Sequence, residues 1–258
     1  MKQTDELSSA LFDMLKELHL PMVRECFSGQ AEIARRESLS YEQYLYDLVQ
    51  QECDARRNNR TVRLLHESQL PQDKSLEVFD RKRLPQKINS QLGVLLEGSF
   101  LSRKENVLAF GNPGSGKTHL LCAIGQELIH QGYRVLFQPC SLMVQKLLLA
   151  KRDLKLQNIL KSFTKYDALI IDDIGYVQQS REEMEVLFTL LAYRYERGSI
   201  MITSNLPFSE WERIFKDPMT TAAAIDRLVH HSIILELNLQ SYRLEQSKKD
   251  MEGKEAGG

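Results

Sequence analysis

The chain has 258 residues, with 34 Lys or Arg against 35 Asp or Glu, a formal net charge of −1 and 42% hydrophobic residues. This length and apolar content predict one or two globular domains. No stretch approaches the roughly 20 consecutive apolar residues that span a bilayer. The first 18 residues carry acids within their apolar pattern, which is unlike a secretion signal. We therefore expect a cytoplasmic protein.

Four cysteines are widely spaced, no CxxC pair exists, and no HExxH motif occurs among the six histidines. These absences argue against a zinc site. We expect reduced thiols that mostly fill the core at Cys26, Cys53, Cys122 and Cys140.

The N-terminal 70 residues show helical periodicity, with apolar residues three and four apart in ALFDMLKELHL. Pro21 interrupts this pattern, and a second amphipathic stretch follows it. Ser40 is placed to cap a third helix, which continues into the basic run ARRNNRTVRLLHES. We therefore predict a small, all-helical N-terminal domain over residues 1–70.

Charge is distributed unevenly along the chain. Residues 1–50 hold five Lys or Arg against nine Asp or Glu, whereas residues 51–104 hold eleven against seven. Local basic character of this kind marks a surface for an anionic partner. Residues 71–85 contain two prolines and read as a linker, and the polar, Gly-rich residues 246–258 are predicted to be disordered.

Short β-rich runs alternate with helical patterns from residue 105 onward. The predicted strands are VLAF (107–110), RVLFQ (134–138), ALIID (168–172), SIMITS (199–204) and SIILEL (232–237). Alternation of this kind is typical of crossover units. It predicts an α/β domain over residues 86–245, with a five-stranded parallel sheet covered by helices on both faces.

GNPGSGKT, residues 111–118, fits the phosphate-loop pattern GxxxxGK[ST] and lies between a predicted strand and a predicted helix. Its glycines permit a tight turn whose backbone N–H groups face an anion, and the helix amino terminus adds partial positive charge. A nucleoside triphosphate with Mg²⁺ is therefore expected here. The expected nucleotide contacts are Gly111, Asn112, Pro113, Gly114, Ser115, Gly116, Lys117, Thr118 and His119.

The apolar run ALIID ends on two adjacent carboxylates, Asp172 and Asp173. A phosphate-loop site needs an acid at the end of a neighbouring buried strand to hold Mg²⁺. We predict that Asp172 does this together with the Thr118 hydroxyl. Because side chains alternate along a strand, we expect Asp173 to point elsewhere and to orient or polarise the attacking water.

The phosphate loop, the DD-ending strand, ITSN at 202–205 and AAAIDRL at 222–228 resemble the AAA+ ATPases of the bacterial initiator and helicase-loader clade. The resemblance implies that Asn205 senses the γ-phosphate or the attacking water. It implies that Arg227 completes a neighbouring subunit's ATP site, so that hydrolysis requires an oligomer. Arg243 is a further candidate phosphate contact. Little ordered-looking chain follows Leu237, so we expect this chain to depart from the family at the helical lid.

Two other phosphate-loop classes fit less well. A small GTPase would carry an NKxD-type motif, and the sequence has none. A small-molecule kinase usually has an Arg-rich lid in the centre of the chain, but the basic residues 141–165 follow the second strand. In the initiator clade an inserted helical element at this place faces DNA, which nominates Lys146, Lys151, Arg152 and Lys155.

The N-terminal region together with LSYEQYL, the ARRNNR-type run, GNPGSGKTHL, IIDDIGY and SNLPFSEW resembles the IstB-like proteins over roughly residues 7–245. These are ATP-dependent helpers of transposases. The resemblance implies an oligomer on duplex DNA of little sequence specificity, with ATP and Mg²⁺ as cofactors and a transposase as partner. A DnaC-like helicase loader is the alternative, and a metabolic kinase is a more remote one.

Four arginines lie at helical spacing within the basic run, so most of them share one face. A face of this kind suits phosphates along a groove, although a solvated basic face is the plainer interpretation. The predicted DNA contacts are Arg56, Arg57, Arg60 and Arg63, with weaker candidates at Arg81, Lys82 and Arg83.

Overall fold

Three helices open the chain, as the apolar periodicity predicts. The computed structural model describes residues 2–175 and 180–242, and the helices are α1 (Lys2–Glu17), α2 (Pro21–Glu37) and α3 (Tyr41–Ser68). Pro21 occupies the first turn of α2, where its missing N–H costs nothing. Ser40 Oγ accepts a hydrogen bond from the Gln43 amide at 3.1 Å, which confirms the predicted cap of α3. One compact unit covers Met1–Arg63, and the other begins at Leu64.

A buried carboxylate joins α2 and α3 in the first unit. Glu52 on α3 is 4% exposed and accepts hydrogen bonds from the Met22 and Val23 amides at the start of α2. Arg56 Nε donates to the same carboxylate at 2.8 Å. Burial alone would raise the pKa of Glu52, but the hydrogen bonds from Arg56 and from the two amides lower it below its usual value.

The second unit contains the predicted parallel sheet. The strands are β1 (Asn106–Phe110), β2 (Val135–Pro139), β3 (Ala168–Asp172), β4 (Ser199–Ser204) and β5 (Ser232–Glu236), in the order β2-β3-β4-β1-β5. Every neighbouring pair is parallel, with Val107 opposite Met201 and Ile233, and Ile170 opposite Met201. The sheet therefore confirms all five predicted strands to within one or two residues at each end.

Helices cover both faces of this sheet, because successive side chains of each buried strand point into different layers. Val107 and Ala109 pack in one cluster, whereas Leu108 packs in the other. The helices of the second unit are α4 (Gln86–Leu96), α5 (Ser99–Ser102), α6 (Lys117–His130), α7 (Cys140–Arg152), α8 (Leu156–Phe163), α9 (Arg181–Arg194), α10 (Glu212–Phe215) and α11 (Pro218–Val229). The predicted α/β architecture is confirmed.

Residues 71–85, predicted as a linker, lie against the second unit. Leu70 and Leu84 are buried in its core, and Leu76 and Phe79 pack against the same cluster. The Gln126 side chain on α6 also donates to the Pro71 carbonyl at 2.7 Å. This segment is therefore positioned by apolar burial next to the helix that follows the phosphate loop.

The cysteines are all free thiols, as expected, but the expectation that they mostly fill the core is only half right. Cys122 and Cys140 are buried, Cys26 is half-buried, and Cys53 is exposed on α3. Burial raises the pKa of the Cys122 thiol to about 12, which keeps it protonated. No helix in the described part of the chain is both long and apolar enough to span a bilayer. The predicted disordered tail, residues 246–258, and Arg243 lie outside the described residues.

Candidate functional site

The phosphate loop joins the carboxyl end of β1 to the amino terminus of α6, which begins at Lys117. Gly114 and Gly116 have φ values of 80° and 94°, which an L side chain adopts only under strain. A Cβ at Gly114 would also lie 2.1 Å from Ser241 Oγ, so a larger residue would clash with this side chain. Glycine at this position is thus needed both for the turn and for the close approach of the chain.

Lys117 directs its ammonium group back along the loop. Its Nζ donates to the carbonyls of Gly111 at 2.8 Å and Asn112 at 2.9 Å, and the residue is only 8% exposed. The positive charge is therefore held at the loop itself, where the amino terminus of α6 adds the partial positive charge of the helix dipole. This arrangement suits a bound anion such as a polyphosphate.

Asp172, at the end of β3, meets the phosphate loop directly. Its Oδ1 accepts a hydrogen bond from Thr118 Oγ1 at 2.7 Å and another from Thr203 Oγ1 at 2.6 Å. The structure thus brings together Thr118 and Asp172, the two residues predicted to hold Mg²⁺. Thr203 was not predicted, although its place one residue before the end of β4 was a signal that could have found it.

The predicted direction of the Asp173 side chain relied on strand alternation, which does not hold at this residue. The strand ends at Asp172, and Asp173 has a left-handed backbone with φ of 64°, so strand alternation does not apply to it. Its amide donates to Thr203 Oγ1 at 2.7 Å. Thr203 therefore fixes both acids, the first through its side chain and the second through its backbone.

Asn205 lies just beyond β4, on the same edge of the sheet as the two acids. Its Oδ1 is buried and has no hydrogen-bond partner among the described residues. The close approach of Gly175 explains this burial, since a Cβ there would lie 2.5 Å from Asn205 Oδ1. A buried amide oxygen without a donor is costly unless a ligand or water supplies one.

A cavity of about 200 Å³ opens beside the phosphate loop. His119 contributes to its wall: its Nε2 donates to the Ser75 carbonyl at 2.9 Å, and its ring packs edge-on against Phe79 with ring centroids 5.1 Å apart. The walls that do not belong to the loop were missed from the sequence, because they come from the predicted linker and from the end of the chain. They are Lys74, Val78, Phe79, Asp80, Arg83, Leu239 and Tyr242.

The residues after β5 return to the phosphate loop instead of leading directly into a lid. We call residues 237–242 the closing segment. The Leu237 amide donates to the Phe110 carbonyl at 2.7 Å, and the Tyr242 amide donates to the Gly114 carbonyl at 3.0 Å. Arg83 donates to the Gln240 carbonyl at 3.0 Å and stacks 5.2 Å from the Tyr242 ring. Arg83, a weak candidate for DNA contact, therefore lines this cavity.

Arg227 on α11 lies away from its own phosphate loop. It lines a cavity of about 240 Å³ with Lys104, Asn106 and His231, at the amino end of β1. The loop follows the carboxyl end of that strand, roughly 13 Å further along by the rise of an extended chain. The guanidinium is held in place by a bond from Nη1 to the Ala223 carbonyl at 2.9 Å and by the Phe188 ring at 5.1 Å.

The predicted DNA-contact residues are mostly exposed, and several of them also make contacts within the protein. All four arginines of the basic run are exposed on α3, but Arg56 is bound to Glu52, and Arg57 pairs with Asp54 at 3.3 Å. On α7, Lys151 pairs with Glu185 at 2.9 Å, and Lys146 lies 5.5 Å from the Phe163 ring. Arg152, the last residue of α7, and Lys155, in the turn that follows, are both exposed.

Comparison with known proteins identifies the family of this chain. A model of the family described as IstB-like ATP binding protein matches residues 13–250. A protein of Sinorhizobium fredii named "Putative insertion sequence ATP-binding protein" is 44% identical over 89% of this chain and 78% of its own length. The "Insertion sequence IS5376 putative ATP-binding protein" of Geobacillus stearothermophilus is 37% identical over 94% of this chain and 96% of its own length. Its IS21 counterpart from Pseudomonas aeruginosa is 38% identical, over 93% and 89% of the two chains.

Solved structures share the fold. The crystal structure of the DnaC helicase loader matches with a TM-score of 0.53 at 20% identity, covering 64% of this chain and 97% of that one. AMPPCP-bound DnaA from Aquifex aeolicus matches with a TM-score of 0.53 at 19% identity, covering 72% and 56%. These similarities agree with the predicted five-stranded parallel sheet and its helices. The phosphate loop, the Thr118–Asp172 contact and the match over most of the sequence together show that this chain belongs to the IstB-like ATP-binding protein family.

Proposed function

We propose that this protein is an ATP-dependent regulator of DNA transposition. It binds ATP with Mg²⁺, assembles as an oligomer on duplex DNA, hydrolyses ATP, and recruits or stimulates a partner transposase. The observation that carries the proposal is the 2.7 Å hydrogen bond from Thr118 to Asp172, which joins the phosphate loop to the acid at the end of β3. The insertion-sequence names of relatives at 37–44% identity support the transposition role.

The oxygen donors of this contact fit Mg²⁺. Thr118 supplies a hydroxyl and Asp172 a carboxylate, and Mg²⁺ prefers a few such hard ligands completed by waters and substrate phosphates. When bound, Mg²⁺ would neutralise charge on the β- and γ-phosphates. Thr203 keeps the carboxylate oriented, in the way that partners behind a metal ligand commonly do.

Hydrolysis requires a positioned water, and we assign this role to two residues. Asp173 lies next to the proposed metal ligand, where its carboxylate can accept a proton or a hydrogen bond from water. Asn205 offers a buried amide oxygen with no donor among the described residues, which supports accepting a hydrogen bond from the attacking water, while its Nδ2 is the atom that could donate to the γ-phosphate. Lys117 holds the phosphates through its ammonium and the loop amides.

Arg227 is proposed to act on the ATP of a neighbouring subunit. Its position near the amino end of β1 keeps it from its own phosphate loop, and its guanidinium is already oriented by Ala223 and Phe188. A fixed guanidinium meets the charge that spreads over the transferred phosphoryl group. An ATP site completed in this way makes hydrolysis depend on assembly.

The exposed arginines of α3 are proposed to bind DNA phosphates, together with the basic residues 141–165. Arg57, Arg60 and Arg63 are all exposed on the same helix, at spacings that keep them near one another. Arg56 is a weaker candidate than the sequence suggests, because its guanidinium ties Glu52 in place. Contacts to phosphates of this kind carry little sequence specificity.

An ATPase assay with and without duplex DNA tests the proposal. We expect hydrolysis that duplex DNA stimulates more than single-stranded DNA does, and we expect Lys117→Ala to abolish both hydrolysis and ATP-dependent assembly on DNA. Lys87→Ala, an exposed lysine on α4, is the matched control and should behave as wild type. Preference for single-stranded DNA would favour a helicase loader, and monomeric activity without DNA stimulation would favour a metabolic kinase.

A further inference from the structure

The turn between α7 and α8 presents an unusual leucine. Leu154 is 94% exposed, the largest exposed fraction given for any apolar side chain in the described part of the chain. Its backbone is left-handed, with φ of 56°. The other described non-glycine residues with positive φ are all polar or charged, so Leu154 alone combines this conformation with an aliphatic side chain.

Local hydrogen bonding explains the left-handed conformation of Leu154, but it does not explain why a leucine occupies this position. The Leu154 amide donates to the Lys151 carbonyl at 3.1 Å, and the Lys155 amide donates to the Ala150 carbonyl at 2.7 Å. This is the helix-ending pattern in which glycine is the usual left-handed residue. A leucine there is strained and is fully hydrated as well, and neither property stabilises the fold.

The surroundings of Leu154 are strongly basic. Residues 141–165 carry six Lys or Arg and a single acid, Asp153. Arg152 and Lys155, on either side of the leucine, are both exposed, and no ion pair is formed by either within the described residues. An apolar tip flanked by cations is complementary to a nucleic-acid groove, whose phosphates border stacked apolar bases.

We propose that Leu154 is a wedge that enters the minor groove of duplex DNA and kinks it at one base step, while Arg152 and Lys155 contact the flanking phosphates. The proposal rests on the DNA binding proposed above and adds a way to deform the duplex. Apolar side chains inserted in this manner partly unstack the bases and bend the helix by tens of degrees. Binding without sequence preference is compatible with it, because a wedge reads no base edges.

Charge distinguishes DNA from a second protein copy as the occupant. An apolar socket on another copy would gain little from two uncompensated cations beside the leucine, since desolvating them is costly. The groove next to the turn is also rimmed by lysines, with Lys146 and Lys155 among its lining residues. The whole face therefore favours an anionic partner.

The test uses the full-length protein with ATP and a short duplex labelled at both ends, so that energy transfer reports the end-to-end distance. Leu154→Gly relieves the backbone strain and removes the wedge. We expect a thermal midpoint equal to or above that of wild type, unchanged ATP affinity, loss of most of the end-to-end shortening, and duplex affinity about tenfold weaker. Leu154→Met, which keeps a flexible apolar side chain, should bend the duplex as wild type does.

Val94→Ala is the matched control, since Val94 is a 45% exposed aliphatic residue on α4, outside the basic residues 141–165, and it should bend DNA as wild type does. A duplex with a two-nucleotide bulge should bind Leu154→Gly and wild type equally, because the kink is already present. If wild type bends DNA and Leu154→Gly bends it equally, the wedge is refuted while the proposed function stands. Loss of assembly in the absence of DNA would instead assign Leu154 to a contact between copies. Wild type that binds no duplex would overturn the proposed function itself.

Discussion

Replacing Thr203 by Val perturbs the site at a residue that touches no expected ligand. Thr203 is 1% exposed, and its hydroxyl both donates to Asp172 Oδ1 at 2.6 Å and accepts from the Asp173 amide at 2.7 Å. Valine has nearly the same shape, so the substitution removes the two hydrogen bonds without opening a cavity. The experiment therefore isolates the part of the site that orients the two acids.

The expected loss of stability follows from these two bonds. A hydrogen bond to a charged group contributes about 1.5–3 kcal/mol and a neutral one about 1 kcal/mol. Asp172 keeps its bond from Thr118 and is only half-buried, so water replaces part of what is lost. We expect the free energy of unfolding to fall by about 2–3 kcal/mol. Because the Asp172 carboxylate loses the hydrogen bond from Thr203 that orients it, Mg²⁺-dependent ATP affinity should fall by about 10–100-fold.

Urea unfolding followed by tryptophan emission measures the first quantity. Trp211 is the single tryptophan of the chain and is fully buried in the second unit, so its emission reports on the unit that contains Thr203. Titration of a fluorescent ATP analogue with and without Mg²⁺ measures the second. Thr203→Ser keeps the hydroxyl and loses one methyl group, so it should cost about 1 kcal/mol and retain Mg²⁺-dependent binding.

Two outcomes would refute this reasoning. If Thr203→Val unfolds at the same urea concentration as wild type, the hydroxyl network does not stabilise the second unit. If Thr203→Ser loses as much Mg²⁺-dependent affinity as Thr203→Val does, the effect arises from packing of the methyl group and not from the hydrogen bonds.

Three further predictions test other parts of the molecule. Arg227→Ala and Lys117→Ala should each be inactive alone, yet mixing the two variants should restore part of the DNA-stimulated hydrolysis. The Arg227→Ala subunits supply intact phosphate loops, and the Lys117→Ala subunits supply intact Arg227 side chains. No recovery at any mixing ratio would contradict action between subunits. The double substitution of Arg57 and Arg60 by Ala should weaken binding equally to duplexes of unrelated sequence. In a filter-binding assay, the slope of affinity against salt concentration should fall by the equivalent of about two phosphate contacts. Unchanged affinity would reassign that face to a protein partner. The lowered pKa of Glu52 means that its contribution to stability is present above the unfolded-state pKa of about 4.5 and is lost as pH falls through the folded-state pKa. Glu52→Gln should therefore be less stable than wild type at pH 7, as measured by circular dichroism. A stability difference that stays constant from pH 7 down to pH 3 would argue against this.

The strands and the phosphate loop were predictable because their signals are local. A buried parallel strand needs a short apolar run, and each of the five runs from 107–110 to 232–237 is centred on consecutive apolar residues. The loop needs glycine where φ is positive and a lysine at the start of the following helix, and both are visible as letters at fixed spacing. The cap of α3 by Ser40 is equally local, since donor and acceptor are three residues apart.

The walls of the cavity were not predictable, because they depend on contacts between distant segments. Phe79 appears in a proline-containing stretch that resembles a linker, and Tyr242 in a polar end of the chain, yet both border the same space beside Gly114. Apolar burial of Leu76 and Leu84 places the first segment, and backbone hydrogen bonds from Leu237 and Tyr242 place the second. No periodicity within either segment reveals such an approach.

Chemistry with fixed spacing was therefore determined by the sequence alone: a parallel sheet, a phosphate loop after its first strand, and acids at the end of its third. Tertiary structure decided which side chains act on those groups. It placed Thr203 behind Asp172, tied Arg56 to Glu52, and put Arg227 at the end of the sheet away from its own loop. The physical reason is that backbone geometry depends on neighbours in sequence, whereas hydrogen-bond partners and burial depend on strand order and helix packing, which bring together residues far apart in the chain.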